Sequence, residues 1–349
     1  MLKNVVIKIV CLMFLTSVYS GAWQGSGTSS DPYQIYTKAD MDALADTVNN
    51  GSSTRNKHFK LMADIIDPLD KMIGSPIRSF GGHFDGNQKS ITVAIPNLFW
   101  STGIEAVIEN LNVNSAPLIS TGSINAGLVG SNYGIVKNCN NYADITVTHD
   151  QLGGIVYANY GEGMVGGLKS GVYNCVNFGN LESGWNGGSI GGIIYLNRIG
   201  TVMNCINVGN ITSTGLTGSA AGIVALSGIN NSSFKDTIFV LNNTNIGTII
   251  GTSDAGGIGS RTTKPTTGVG VILVSGNANH GLVKGNTRIG GIIGNASPLF
   301  DSNGVVVINN FNSGVIIGNS HIGCILGYKS SVSPIIENNH YDTQMCGDD

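Results

Sequence analysis

Charge is scarce in this chain. Of its 349 residues only 11% are Asp, Glu, Lys or Arg, less than half the share usual in a globular domain. No basic cluster occurs anywhere, so nucleic-acid binding has no electrostatic footprint. With 41% hydrophobic residues beside that low charge, a chain kept disordered by self-repulsion is excluded too. Its six histidines are scattered and give no convergent ligand set of the kind zinc needs. No Ser-His-Asp or Cys-His spacing suggests a nucleophile, and His58 and His83 read as surface or core packing. Beyond residue 20 no apolar run is long enough to cross a bilayer. Residues 1–20 read as a secretory signal: Lys3 and Lys8 lead, Ile9 to Leu15 is apolar, and Val18-Tyr19-Ser20 places small residues before the cleavage point.

What the chain has is glycine, at 51 residues, and repetition. The stretch from Gly171 to Leu181 (GVYNCVNFGNL) returns from Thr201 to Ile211 (TVMNCINVGNI), and again from Ile135 to Ile145 (IVKNCNNYADI). Shorter copies follow. One column is invariant: Asn141, Asn177, Asn207, Asn245, Asn279 and Asn312, at spacings of 36, 30, 38, 34 and 33. Two residues later the column is Ala143, Gly179, Gly209, Gly247, Gly281 and Gly314. A second motif pairs small residues with an apolar strand, as in Gly153-Gly154-Ile155-Val156 and Gly191-Gly192-Ile193-Ile194.

Self-similarity at this period means a solenoid, propeller or array. The apolar residues are short, β-branched and alternating, which is strand chemistry. A propeller prefers a longer period and a leucine-rich repeat a shorter one with leucine columns. The spacing therefore predicts an all-β, right-handed parallel β-helix with three short strands per coil. Handedness follows from the crossover rule for parallel strands. Asn and the glycine two residues on are expected to make a turn with φ > 0. Equivalent residues of successive coils lie ~4.8 Å apart, so the Asn column is expected to form a structural ladder. Cys139, Cys175 and Cys205 occupy another column and are expected to stack as buried thiols.

Residues 21–97 read as a separate N-terminal cap, and 98–349 as the repeats. Thr37 followed by Asp40 is an acidic version of the capping box. Met41, Leu44, Ala45 and Val48 form a helical stripe that Gly51 ends. Asp64, Asp67 and Asp70 have the oxygen chemistry for calcium but read as a solvated loop. Nothing after Asp342 resembles a cap, which leaves room for a partner or further domain at the C-terminal edge.

Two stretches carry a likeness to a known family. One is Trp23-Gln24-Gly25-Ser26-Gly27-Thr28 with Asp31-Pro32-Tyr33-Gln34-Ile35, Leu61-Met62-Ala63-Asp64-Ile65 and Phe84-Asp85-Gly86-Asn87. The other is Gly127-Leu128-Val129-Gly130 with its Asn-Cys partner. Together they resemble the GLUG-motif repeat proteins of bacterial surfaces. The resemblance implies secretion or surface display, often with an adhesin-like role. The motif also occurs in an immunoglobulin-cleaving metallopeptidase family, whose activity does not carry over, because this chain has no His-Glu-x-x-His.

The sequence also bears on catalysis. Between Asn114 and Ile336 the acids are Asp144, Asp150, Glu162, Glu182, Asp236, Asp254 and Asp301, and no two share a column of adjacent repeats. Glycoside hydrolysis needs two carboxylates ~5–9.5 Å apart. Arg198, Arg261 and Arg288 read as lying in separate connections, so no lyase site is visible. The expectation is a non-catalytic secreted or surface protein that displays a binding face to a glycan or host protein, with no cofactor and no metal. Trp185, in the glycine-rich Gly184–Gly188 connection, is the candidate ligand-binding residue. A polysaccharide lyase or hydrolase, and a structural stalk, are the alternatives.

Overall fold

The computed structural model describes residues 23–161, 163–228, 237–264, 270–298, 304–329 and 334–346. The signal expected at residues 1–20 lies outside them. One coil shows the plan. Val129–Asn132, Ile135–Lys137, Asn140–Asn141, Ile145–Val147 and Leu152–Gly153 follow in order. The chain then returns as Val156–Asn159, which pairs in parallel with Val129–Asn132. A full coil thus has five short strands, where the sequence predicted three. Two bends explain the difference, one at the left-handed Asn138 between Ile135–Lys137 and Asn140–Asn141, and one at the paired glycines. Their second member sits at a bend that splits one expected strand into two, as between Ser189–Gly191 and Ile194–Asn197.

Stacking these coils gives parallel sheets of eleven, ten, eight, seven and six strands. A small antiparallel hairpin, Met164–Val165 with Leu168–Lys169, stands apart. The eleven-stranded sheet begins with Tyr33–Ile35, His58–Leu61 and His83–Asp85 before reaching Val107–Glu109. The eleven- and ten-stranded sheets therefore run through position 97/98 without a break, and the other three begin after it. One hydrophobic cluster extends from Ile35 to Ile325, and a second lines the seven- and six-stranded sheets with Ile145, Leu181, Ile211, Ile249, Val283 and Ile316. Each such side chain contributes ~1.5–3 kcal/mol when fully buried. A two- or three-residue strand therefore holds its place through its stack, not its own length.

The helix α1, Lys38–Asn49, starts at a reciprocal cap. Asp40 N–H donates to Thr37 Oγ1 and Thr37 N–H donates back to Asp40 Oδ2. It buries Met41, Leu44, Ala45 and Val48 in the main core and ends at Gly51 with φ +86°. Trp23 closes over this end, its ring 5.3 Å from Tyr33 and 5.4 Å from Phe59, with Nε1–H donating to Asp40 O at 3.1 Å.

The turn chemistry differs from expectation. The left-handed residue is neither the invariant Asn nor the glycine after it. It is the residue before the Cys column: Asn110, Asn138, Asn174, Asn204, Asn242, Gly276 and Asn309, at φ between +52° and +68°. The glycine column is needed for space instead. A Cβ on Gly179 would lie 1.9 Å from Ala143 O, and one on Gly209 2.0 Å from Gly179 O.

The C-terminal end also differs. After the last strands a short 3-10 turn, Thr343–Met345, folds back, and Cys346 is disulfide-bonded to Cys324. Cys346 is buried, with Asn312 Nδ2 3.9 Å from its sulfur. A disulfide sulfur at the end of the ladder does part of what a cap does, and a single cysteine outside the repeat gives no periodic signal for it.

Candidate functional site

The invariant asparagines are fully buried and joined along the axis. Each Nδ2 donates to the Oδ1 of the next coil: Asn141 to Asn177 at 2.8 Å, then Asn207, Asn245, Asn279 and Asn312 at 2.8–2.9 Å. The second proton of each amide goes to the carbonyl two residues on, as from Asn207 to Gly209 O at 2.8 Å. Each interior carboxamide thus accepts once and donates twice, using both of its N–H donors. Glycine flanks the ladder on its other side as well. A Cβ on Gly192 would lie 2.5 Å from Asn207 Oδ1, and one on Gly154 2.9 Å from the Asn177 carboxamide carbon. The two sequence motifs therefore meet inside the coil, and this column is closed to any ligand.

Cys139, Cys175 and Cys205 are free and buried. Each thiol donates to the carbonyl of the preceding coil, as Cys205 to Val172 O at 3.7 Å. Burial, with the neighbouring thiols adding to it, pushes the Cys175 thiol well up, which leaves it protonated and unreactive. The column then changes letter but not role. Asn243, Asn277 and Asn310 follow, donating to Val202 O, Val240 O and Val274 O. They bond to one another and to Asn339 at 2.9 Å. A third buried chain, Thr102–Asn132–Asn159–Asn197, runs at another corner.

Outside the coils the picture is apolar. Trp185 is 37% exposed. Its loop is pinned by Gly188 N–H to Trp185 O and by Thr217 N–H of the next coil to Asn186 O. The indole lies back over Gly187, where a Cβ would be 3.3 Å from the ring, so its own loop covers part of it. Tyr173 is buried, and Tyr157 pairs with Tyr195 at 4.9 Å. Burial raises the Tyr157 hydroxyl far above the usual range and Tyr195 to about 12. That is the wrong direction for a phenolic base. Sequence reasoning missed a better-exposed column. Tyr142 and Phe178 stack 4.7 Å apart with rings 2° from parallel, and Val208 and Ile246 continue the line. All four follow a ladder asparagine, so the alternation of strand faces could have identified them.

Two gatherings of charged groups lie on the coils among the described residues. Arg261 and Arg288 lie on the strands Gly259–Lys264 and Arg288–Gly290, not in separate connections as the sequence suggested. Both converge on the buried Asp254. Arg261 donates from Nε at 2.9 Å and from the second guanidinium nitrogen at 2.7 Å, and Arg288 donates from Nε. Asn295 Nδ2 adds a bond at 3.3 Å. An unpaired buried carboxylate would cost several kcal/mol. This one is paired on both oxygens.

The second gathering is on the outer face of the first coils. Gln34, Lys60, Asp85, Glu109 and Lys137 share one column, with His58 and His83 in another two residues away. Asp85 and Glu109 are thus in-register carboxylates of adjacent coils, ahead of the window searched in the sequence. Lys60 lies 3.7 Å from Asp85, and Glu109 takes His83 Nε2 on one oxygen and Lys137 Nζ, at 2.8 Å, on the other. The His83 hydrogen bond, with Lys137 helping against burial, holds the Glu109 carboxyl down at about 2. A general acid needs the opposite shift. His83 and its strand neighbours border a cleft of about 390 Å³ that also meets the loop Ser29–Pro32. Asp64, Asp67 and Asp70 do not converge: Asp64 accepts from Ser90 N–H and Asp70 pairs with Lys38. Among the described residues no three His, Cys, Asp or Glu side chains gather as metal ligands.

No family model matches the chain. Over 141 residues it is 30% identical to a "Putative Gly-rich membrane protein" of Evansella cellulosilytica, covering 35% of this chain and 15% of that one. Over 174 residues it is 28% identical to halomucin of Haloquadratum walsbyi, covering 44% of this chain and 2% of that one. The chain spans only a small part of the length of either relative. Among solved structures it is similar to a "putative immunoglobulin A1 protease" from Bacteroides ovatus. The TM-score is 0.58, over 91% of this chain and 86% of that one, at 18% identity. At that identity the likeness shows the fold: a solenoid of stacked parallel strands. No helix among the described residues is long and apolar enough to cross a membrane.

Proposed function

We propose that this protein is a secreted or surface-displayed β-helix that binds a glycan or host protein on its outer faces without catalysis. The observation that carries the reading is the exposed column Tyr142–Phe178–Val208–Ile246, set one coil apart on a rigid sheet. Solenoids present long faces of this kind to partners. Trp185 adds an indole of little rotamer freedom on a second face. The GLUG-like motifs and the names of the two relatives support a place at the cell surface. The low carboxyl of Glu109 and the high hydroxyls of Tyr157 and Tyr195 argue against acid–base work at either cluster.

Binding of the full chain to a glycan array and to immobilised immunoglobulin A tests this. A ligand retained without turnover is expected, and Trp185→Ala should weaken it by about 1 kcal/mol or more. Shortening of a polysaccharide, lost on changing one acid, would make the protein an enzyme. Self-association with no ligand would make it a spacer.

A further inference from the structure

The N-terminal cleft has no part in that reading, and the loop that walls it belongs to the stretch singled out by motif. Three N–H groups, of Ser26, Gly27 and Thr28, converge on Asp31 O at 2.9–3.2 Å. Gly25 and Gly27 take φ of +92° and +74°, and a Cβ on Gly25 would lie 2.1 Å from Pro32 O. The wall is therefore fixed before any ligand arrives. Facing it are side chains of three paired strands, with Gln34 beside Lys60 and His58 beside His83.

The charges around the cleft are largely spoken for. Asp85 Oδ1 accepts from Asn87 N–H and Asn110 Nδ2, and its other oxygen faces Lys60. Glu109 is held between His83 and Lys137. Asp31 accepts Ser26 N–H at 2.9 Å and leaves an acidic rim. What remains free is neutral. His58 is half-buried, its ring centroid 5.0 Å from that of His83, and its ring nitrogens have no hydrogen-bond partner among the described residues. Burial and then the neighbouring His83 lower its proton affinity, so at neutral pH it offers one donor and one acceptor. Gln34 spends its oxygen on the Tyr36 hydroxyl and keeps its N–H₂. Pro32 and Met62 supply apolar surface.

We infer that this cleft binds one neutral sugar residue of a glycan, with His58 and Gln34 bonding adjacent ring hydroxyls. Hydroxyls both donate and accept, which suits a mixed set of uncharged partners. The C–H face of a pyranose suits the apolar floor. The volume falls in the usual ~300–1,000 Å³ of small-molecule sites. A uronate would meet the acidic rim, and Lys60, the cation among the lining side chains, already faces Asp85. The inference rests on the binding reading but not on Trp185, which sits on a different loop.

The test is saturation-transfer NMR on the full chain, with the methyl glycosides of glucose, galactose and mannose, N-acetylglucosamine, and glucuronate. At least one neutral sugar should receive saturation. Its affinity should fall at least tenfold in His58→Ala and in Gln34→Ala, and stay within twofold of wild type in Ile317→Ala, an exposed side chain outside both sites. Far-UV dichroism controls for folding, and His58→Gln, which keeps a donor and an acceptor, should retain more affinity than His58→Ala. Three results overturn the proposal: no transfer to any neutral sugar, transfer indifferent to His58 and Gln34, or tighter binding of glucuronate. If the array ligand survives Trp185→Ala but is lost in His58→Ala, the Trp185 assignment fails and the cleft stands. The converse pattern removes the cleft alone.

Discussion

An aliphatic core runs through both ends of the molecule, but between Trp23 and Phe99 it is filled out by rings, and from Asn141 to Asn312 by amides and glycine. In the first region Phe59, Phe80, Phe84 and Phe99 meet at centroid distances of 5.2–5.9 Å, and only one phenylalanine pair, Phe59 with Phe84, is in register. In the second the same carboxamide recurs at every coil between two glycine columns. The difference is in what each chemistry demands. Rings fill volume and tolerate unequal coils, as Phe80 does in packing against both Phe59 and Phe99. An amide ladder demands an identical donor and acceptor at every ~4.8 Å rung, with no Cβ in the way. Repetition visible in the letters is therefore a sign of hydrogen bonding across coils, and its loss near the helix α1 marks a change of filling, not of fold.

Three substitutions sharpen that contrast. Phe84→Ala removes a fully buried ring from the region with no ladder to hold register, and should cost about 3–5 kcal/mol in chemical denaturation. A cost under 1 kcal/mol would show that rings are not what holds this end. Asn207→Ala should cost less, about 1–3 kcal/mol, by leaving the Asn177 donor and the Asn245 acceptor unmatched in the interior. A thermal melt identical to wild type would deny the ladder any energetic role. The smallest effect concerns charge on the outer face. Because the folded Glu109 carboxyl sits at about 2, below its ordinary 4.5, its ionised form contributes stability that is present above about pH 4.5. That contribution is lost as pH falls toward 2. Glu109→Gln should therefore lower the melting temperature at neutral pH and converge on wild type in acid. A gap that widens in acid would reverse the assignment.

Much of this was legible in the letters, for reasons that differ by residue. The Asn column could be read because a ladder admits only one residue type. The capping box of Thr37 and Asp40 could be read because it is local. The two extra strands could not, because neither the bend at the second glycine nor the one at Asn138 changes the residue class. The second amide column was hidden because Cys205 gives way to Asn243: the donor is kept while the letter changes. Asp254 and Arg288 were recoverable, since they lie 34 residues apart, the same spacing as Asn245 and Asn279. The cleft was not, because His58, Gln34 and Asp31 come from coils of unequal length that share no period.

The central claim is that the invariant asparagine is an interior hydrogen-bonding element between glycine columns, with binding left to the outer faces. Exchange of the Asn207 side-chain amide protons with deuterated water, followed by NMR, tests it most directly. The structure predicts protection comparable to that of the backbone N–H groups of Ile211 and Val208, which pair across coils. Exchange at the rate of a free carboxamide would contradict it.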